Sequence, residues 1–151
     1  MNSEKISWCC KQKRGIELIE PKPHIEKSYI EESEKDLEES KLISGKWKII
    51  ISYYSCYEAL YSLFMKCGIK SEIHDCTIEL MNLFGFEDRE IVFMKELKRL
   101  REGNQYYLKR EEMKSGGGVK EFILKCKEIS SSLNSFKIEE IRNKIRKFKD
   151  E

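Results

Sequence analysis

Residues 47–67, WKIIISYYSCYEALYSLFMKC, decide the fold. Ile50, Tyr54, Tyr57, Tyr61 and Phe64 recur at spacings of four and three. Ile49, Tyr53, Cys56, Leu60 and Leu63 form a second apolar stripe beside them. Residues spaced this way share a face of a helix, and a helix apolar on more than one face belongs at the centre of a protein. A third row, Ser52, Ser55, Ala59 and Ser62, is small enough to let another helix approach closely. About 20 residues at ~1.5 Å each would also reach across a bilayer. Glu58 and the seryl row in mid-segment, Lys46, Lys48 and Lys66 at the ends, and a mean hydropathy of -0.61 argue against a membrane span. The tyrosines read as core and interface residues rather than as a platform for stacking bases. Gly68 closes the helix at a position that favours a left-handed residue.

Working outward, Pro21 and Pro23 start a new element, and Ile25, Tyr29, Ile30, Leu37 and Leu42 mark an amphipathic helix over 24–42. Its outer face is acidic, about −4 between Glu26 and Lys41. Before it, residues 4–14 suit a short helix carrying Trp8 and stopped by Gly15. After Gly68, Ser71 is the expected N-cap of a helix to Leu83, and Asp88 that of a helix carrying Ile91, Phe93, Met94, Leu97 and Leu100, which Gly103 should weaken. The run Ser115–Gly118 reads as a linker. Beyond it Phe122, Ile123, Ile129 and Leu133 mark one helix, and Ile138, Ile141, Ile145 and Phe148 another starting near Ser135. No strand-like alternation stands out. The expectation is an all-α protein, an antiparallel up-and-down bundle of four or five helices at 21–114, with an N-terminal helical segment at 1–20, the linker at 115–118 and a C-terminal helical extension at 119–151.

A chain of 151 residues has room for one domain with such an appendage. With 40% hydrophobic and 37% charged residues but only 8 Gly and 2 Pro, long charged helices fit better than collagen-like, mucin-like or disulfide-framework classes. The net charge of +2 announces neither a nucleic-acid nor a membrane binder. Locally, 95–114 and 120–151 each carry about +3, although interleaved acids also suit a solvated helix face. The six cysteines form no C-x-x-C pair, and only His24 and His74 accompany them, so no zinc-site spacing exists and no metal is expected. The N-terminal stretch lacks a secretory pattern, which leads to the expectation of a cytoplasmic protein with reduced thiols, Cys9 and Cys10 packing as small hydrophobes.

No phosphate loop, G-x-S-x-G elbow or H-E-x-x-H is present. Three features carry possible chemistry. Glu58, an acid within an apolar helix, needs a cation or donor from a facing helix, or a groove. His74 beside Asp75 is a candidate proton-transfer group near pH 7, although a lone histidine without a defined partner more often caps or packs. Arg99, Arg101, Asn104, Tyr106 and Tyr107 combine guanidinium, amide and phenol groups suited to phosphate and base contacts, or to a polar dimer interface.

The segment SYYSCYEALYSLFMKCGIKSEIHDC, residues 52–76, resembles the signature of the HEPN domain superfamily through Ser52, Tyr53, Tyr54, Tyr57, Ala59, Gly68, Ser71 and His74. The resemblance covers about residues 21–110, and the Trp8-Cys-Cys piece is similar to an archaeal-type branch. It implies a dimerising helical bundle, commonly partnered by a minimal nucleotidyltransferase in a toxin–antitoxin pair. Active HEPN toxins are metal-independent ribonucleases using an R-x4-6-H motif. Arg99 or Arg101 matches its arginine, whereas Tyr106 and Tyr107 stand where its histidine is expected, and Glu58 occupies a position where related members often carry histidine. The favoured expectation is therefore a homodimeric module binding a nucleotide, RNA or a nucleotidyltransferase, without a cofactor. Its cleft would be lined by Arg99, Arg101, Asn104, Tyr106, Tyr107, Tyr53 and Glu58. The alternatives are a metal-independent ribonuclease using Arg101 with His74 or Tyr107, and a purely structural helical adaptor.

Overall fold

The computed structural model describes residues 1–109, 111 and 118–151. Its elements are α1 (Ser3–Lys11), β1 (Glu17–Leu18), α2 (Pro23–Ser40), α3 (Lys46–Cys67), β2 (Ile69–Lys70), α4 (His74–Glu79) continued by a 3-10 turn over Leu80–Leu83, α5 (Asp88–Tyr106), α6 (Gly118–Ser132) and α7 (Ser135–Asp150). Helix accounts for 76% of the chain, as the all-α reading requires.

α3 is the central helix. Both apolar stripes are used: Tyr53, Cys56, Leu60, Leu63 and Phe64 are fully buried, and the small row Ser52, Ser55, Ala59 and Ser62 is buried with them. α2 returns antiparallel along α3, because Lys22 meets Met65, Tyr29 meets Tyr61 and Ser33 meets Ser55. At the last contact the Ser33 hydroxyl donates to the Ser55 carbonyl at 2.6 Å, and the Ser55 hydroxyl to the Ser33 carbonyl at 2.7 Å. Only small side chains let two helices come close enough for this reciprocal bond.

The C-terminal helices share the same core. Phe122, Ile123, Cys126 and Ile129 of α6, and Ile141 and Ile145 of α7, belong to one buried cluster with α3. Lys66 donates to the Ser130 carbonyl at 2.6 Å. Arg142 of α7 donates from one nitrogen to the carbonyls of Ile19, Cys67 and Gly68 at 2.8–2.9 Å, neutralising the negative end of α3. Gly68 is required there twice over: its φ is +68°, and a Cβ would lie 2.4 Å from the Ile19 carbonyl oxygen and 2.5 Å from the Arg142 guanidinium. Of the expected linker, residues 115–117 lie outside the described residues, and Gly118 opens α6.

Several local expectations are corrected. β1 and β2 pair antiparallel, Glu17 with Lys70 and Leu18 with Ile69, a ladder too short to leave an alternating pattern in sequence. Because β2 takes residues 69 and 70, Ser71 sits at its end and does not cap a helix. α4 starts at His74 after an extended Ile73. α5 is capped by Glu87 rather than Asp88, through a capping box in which the Glu90 carboxylate accepts from the Glu87 N–H at 2.7 Å, and it runs through Gly103 without a break. The largest correction concerns the thiols: Cys9 and Cys76 are joined by a disulfide tying α1 to α4, while Cys10, Cys56, Cys67 and Cys126 are free and buried. Among the described residues no helix is long and apolar enough to cross a membrane.

Candidate functional site

Four tyrosines of α3, the first residue of α4 and one arginine of α5 converge. The Arg101 guanidinium carbon lies 4.6 Å from the Tyr53 ring centre, 5.6 Å from that of Tyr54 and 5.8 Å from that of Tyr106, and Arg101 donates to the Tyr54 hydroxyl at 2.9 Å. Arg101 is only 6% exposed, and its Nε is buried without a hydrogen-bond partner among the described residues. Aromatic faces thus surround a cation whose planar fork is only partly used.

On the other side of Tyr53, its hydroxyl lies 2.7 Å from His74 Nδ1. Burial holds the Tyr53 phenol protonated well above its usual range. That fully buried hydroxyl has His74 as its hydrogen-bond partner among the described residues; donation to Nδ1, which satisfies the buried O–H, would place the neutral ring's proton on Nε2, whereas the other tautomer would donate from Nδ1. Burial first, then the Arg101 and Lys98 cations, hold His74 below the ordinary imidazole value, against the opposing pull of Asp75 and Glu102. Lys98 itself bridges Asp75 at 3.1 Å and the Glu102 carboxylate, and Arg101 Nη2 lies 3.8 Å from that same carboxylate.

The rings continue as a column. His74 stacks on Tyr57 at 4.4 Å and 20°, and Tyr57 on Tyr61 at 5.7 Å and 24°, with Tyr29 of α2 tilted against Tyr61 at 5.3 Å. The Tyr57 hydroxyl bonds Thr77 at 3.3 Å, and the Tyr61 hydroxyl accepts from the Ser71 N–H at 3.2 Å. Burial pushes the Tyr57 phenol up to about 12. This column forms one wall of a groove of about 580 Å³, which Lys22, Lys70 and Glu72 also line.

The remaining expected site residues do not all join this cluster. Arg99 turns outward to Glu96 at 2.6 Å and Glu111 at 2.8 Å. Asn104 is buried, and its amide donates to the carbonyls of Leu100 and Glu111, both at 2.9 Å, which is a structural use. Tyr106 reaches Arg101 but is largely exposed, and Tyr107 is exposed beneath Lys109. Glu58 meets neither the arginine nor the tyrosine expected for it. Its carboxyl lies with those of Glu32 and Asp36, ligand atoms within 4.8 Å of one another, and Oε2 is buried without a hydrogen-bond partner among the described residues. Burial, then the Asp36 carboxyl and the Glu32 charge, push it up to about 9, so it is protonated at neutral pH. These three are the one carboxylate cluster of metal-binding geometry among the described residues.

Residue type and spacing single out Glu58, His74 and the 99–107 cluster that holds Arg101, and the resemblance adds Tyr53. They did not single out Tyr29, Tyr61, Lys22 or Lys70 as lining a groove, although the four-and-three spacing of tyrosines along α3 was the available signal. No protein-family model, curated protein or solved structure matches this chain.

Proposed function

We propose that the chain is a HEPN-like module that binds single-stranded RNA or a nucleotide through the Arg101–Tyr53–His74 cluster and the adjoining aromatic groove, without cleaving it. The observation that carries this reading is the use of His74 Nδ1. A general base needs a free lone pair at the ring, and with the Tyr53 hydroxyl donating across the 2.7 Å contact, Nδ1 has none to offer. The neutral ring, which lines the groove, is left with an Nε2–H to donate. A donor beside stacked rings and lysines suits recognition of phosphate oxygens and bases. The exposed run Tyr106, Tyr107 and Leu108 beside Arg101 offers a surface for a second copy of the chain, in keeping with the homodimer of the resemblance. A nucleotidyltransferase partner rests on the resemblance alone.

A second reading, the metal-independent ribonuclease, is favoured by one observation. Arg101 and His74 meet on the same tyrosine, which would pair a phosphate-stabilising cation with a proton carrier once Tyr53 releases Nδ1. One experiment separates the two. A labelled mixed-sequence RNA is incubated with the protein in EDTA, and anisotropy and product length are read from the same samples. The expected result is binding without cleavage, weakened at least about tenfold by Arg101→Ala, a loss of ~1.4 kcal/mol. Cleavage abolished by His74→Gln would establish the ribonuclease, and neither binding nor cleavage would overturn both.

A further inference from the structure

α4 is six residues long, too short to hold its own shape or position in water, so what grips its two sides decides where it sits. His74 and Cys76 are two residues apart, hence about 200° apart around the helix. One side carries His74 onto Tyr53 and Tyr57 of α3; the other carries Cys76 into the disulfide with Cys9 of α1. Among the described residues the polar ties between α1 and α4 lie at the far end of α4, where Glu79 meets Lys5 at 3.7 Å and the Asn2 N–H at 3.4 Å; Ile6 shares the buried core with Ile78, and at the near end Asp75 meets Lys98 of α5 at 3.1 Å and Thr77 meets the Tyr57 hydroxyl at 3.3 Å. At the His74 end the sulfur–sulfur bond is the covalent hold, and it closes a chain separation of 67 residues.

We propose that the Cys9–Cys76 disulfide is a redox-removable clamp that seats His74 against Tyr53, so that its reduction loosens the first turn of α4 and opens the candidate site without unfolding the helices around it. The neighbouring thiol does not perform the exchange: Cys10 is buried, and desolvation raises its thiol above the ordinary value, leaving little thiolate to attack. The reductant is therefore an external dithiol. Its first thiolate attacks one sulfur and forms a mixed disulfide, and the other cysteine leaves as thiolate and takes up a proton. The second thiolate of the reductant then displaces the remaining cysteine and closes a cyclic disulfide, so two electrons pass to the protein and the dithiol is oxidised. Both sulfurs are fully buried, so attack requires α1 to lift first, and reduction is expected to follow that opening.

Seated, His74 faces Tyr53 and Tyr57 of α3, Asp75 of its own helix, and Arg101, Lys98 and Glu102 of α5. Released, it gains water, and its titration moves back toward the ordinary imidazole range. The chain has two histidines, and His24 is exposed at the start of α2, so it serves as an internal control. The test is ring-nitrogen NMR of both histidines across pH 4–9, on protein with and without dithiothreitol. Free thiols are counted in each sample, and a Cys9→Ala/Cys76→Ala variant is run beside them. The expected count is four thiols before reduction and six after. The His74 midpoint should rise by at least about 0.5 in pH on reduction and in the variant, with His24 unmoved and far-ultraviolet circular dichroism retained. Six thiols in the untreated protein, an unmoved His74 midpoint, or loss of helix on reduction would each overturn the clamp, the last by making the bond a staple of the whole fold. This readout uses no RNA, so it stands or falls separately from the ligand reading.

Discussion

α3 borders two ionic settings, one buried around Arg101 and one half-buried at Glu58, whose neighbours are of opposite kinds. Near its middle, Tyr53 and Tyr54 receive the Arg101 cation, which finds aromatic faces and a hydroxyl acceptor. One turn on from Tyr54, Glu58 faces α2 and, among the described residues, lies with two other carboxyls, Asp36 and Glu32. The first charge is held by groups that favour it, so the arrangement is built to keep it. The second is held by groups that disfavour it, so the protein keeps the acid protonated instead. Burial raises the Glu58 carboxyl most and its acidic neighbours add to that shift, whereas at Arg101 the neighbours offset what burial costs.

The sharpest way to break this contrast is Arg101→Ala. It removes the stem packing and the cation and leaves the Tyr54 hydroxyl without its donor, which should cost about 3 kcal/mol in chemical denaturation. A loss under ~1 kcal/mol would mean that the rings hold themselves without the cation.

Glu58→Gln should act in the opposite direction. The native carboxyl keeps its proton up to about 9, while the unfolded one loses it near ~4.3, so between those values the native state binds more protons and stability falls as pH rises. Glutamine has no proton to lose. Its melting temperature should match wild type near pH 4 and exceed it by roughly 3–6 °C at pH 8, a figure discounted for partial solvent access. A gain that did not grow with pH would show that Glu58 has a cation partner after all.

Tyr53→Phe leaves the ring on Arg101 and removes only the hydrogen bond to His74. About 1 kcal/mol should be lost, and His74 should titrate higher because its neutral form loses a donor. An unchanged His74 midpoint would detach the histidine from this cluster. The smallest effect belongs to Arg99→Ala. Its partners Glu96 and Glu111 are themselves half exposed, so the denaturation midpoint and the RNA anisotropy should both stay within error of wild type.

Helix α3 could be read almost residue by residue from its spacing, because an apolar period of 3.6 is a local property that tertiary contacts only exploit. The start at Pro23 and the stop at Gly68 were legible for the same reason: ring closure and a missing Cβ act on the backbone wherever they occur. The caps of α4 and α5 were not, since the chain before Ser71 is taken by a ladder that pairs Lys70 with Glu17, 53 residues away, and Glu87 caps through the Glu90 side chain turning back on the helix. Within the cluster at 99–107 every polar residue looked alike in sequence. Only packing turned Arg101 inward to the tyrosines, Asn104 onto backbone carbonyls and Arg99 out to solvent acids.

The sequence by itself determined that this chain is helical and that α3 lies at its centre, and it marked Glu58, His74 and the 99–107 cluster with Arg101 for attention. These rest on periodicity, breakers and residue chemistry, all carried by neighbours along the chain. Tertiary structure decided that Cys9 bonds Cys76, that Arg142 closes the end of α3, that the hydroxyl of Tyr53 meets Nδ1 of His74, and that Glu58 lies with acids. Each is a meeting of side chains far apart in sequence, and no local pattern encodes which distant group will stand opposite.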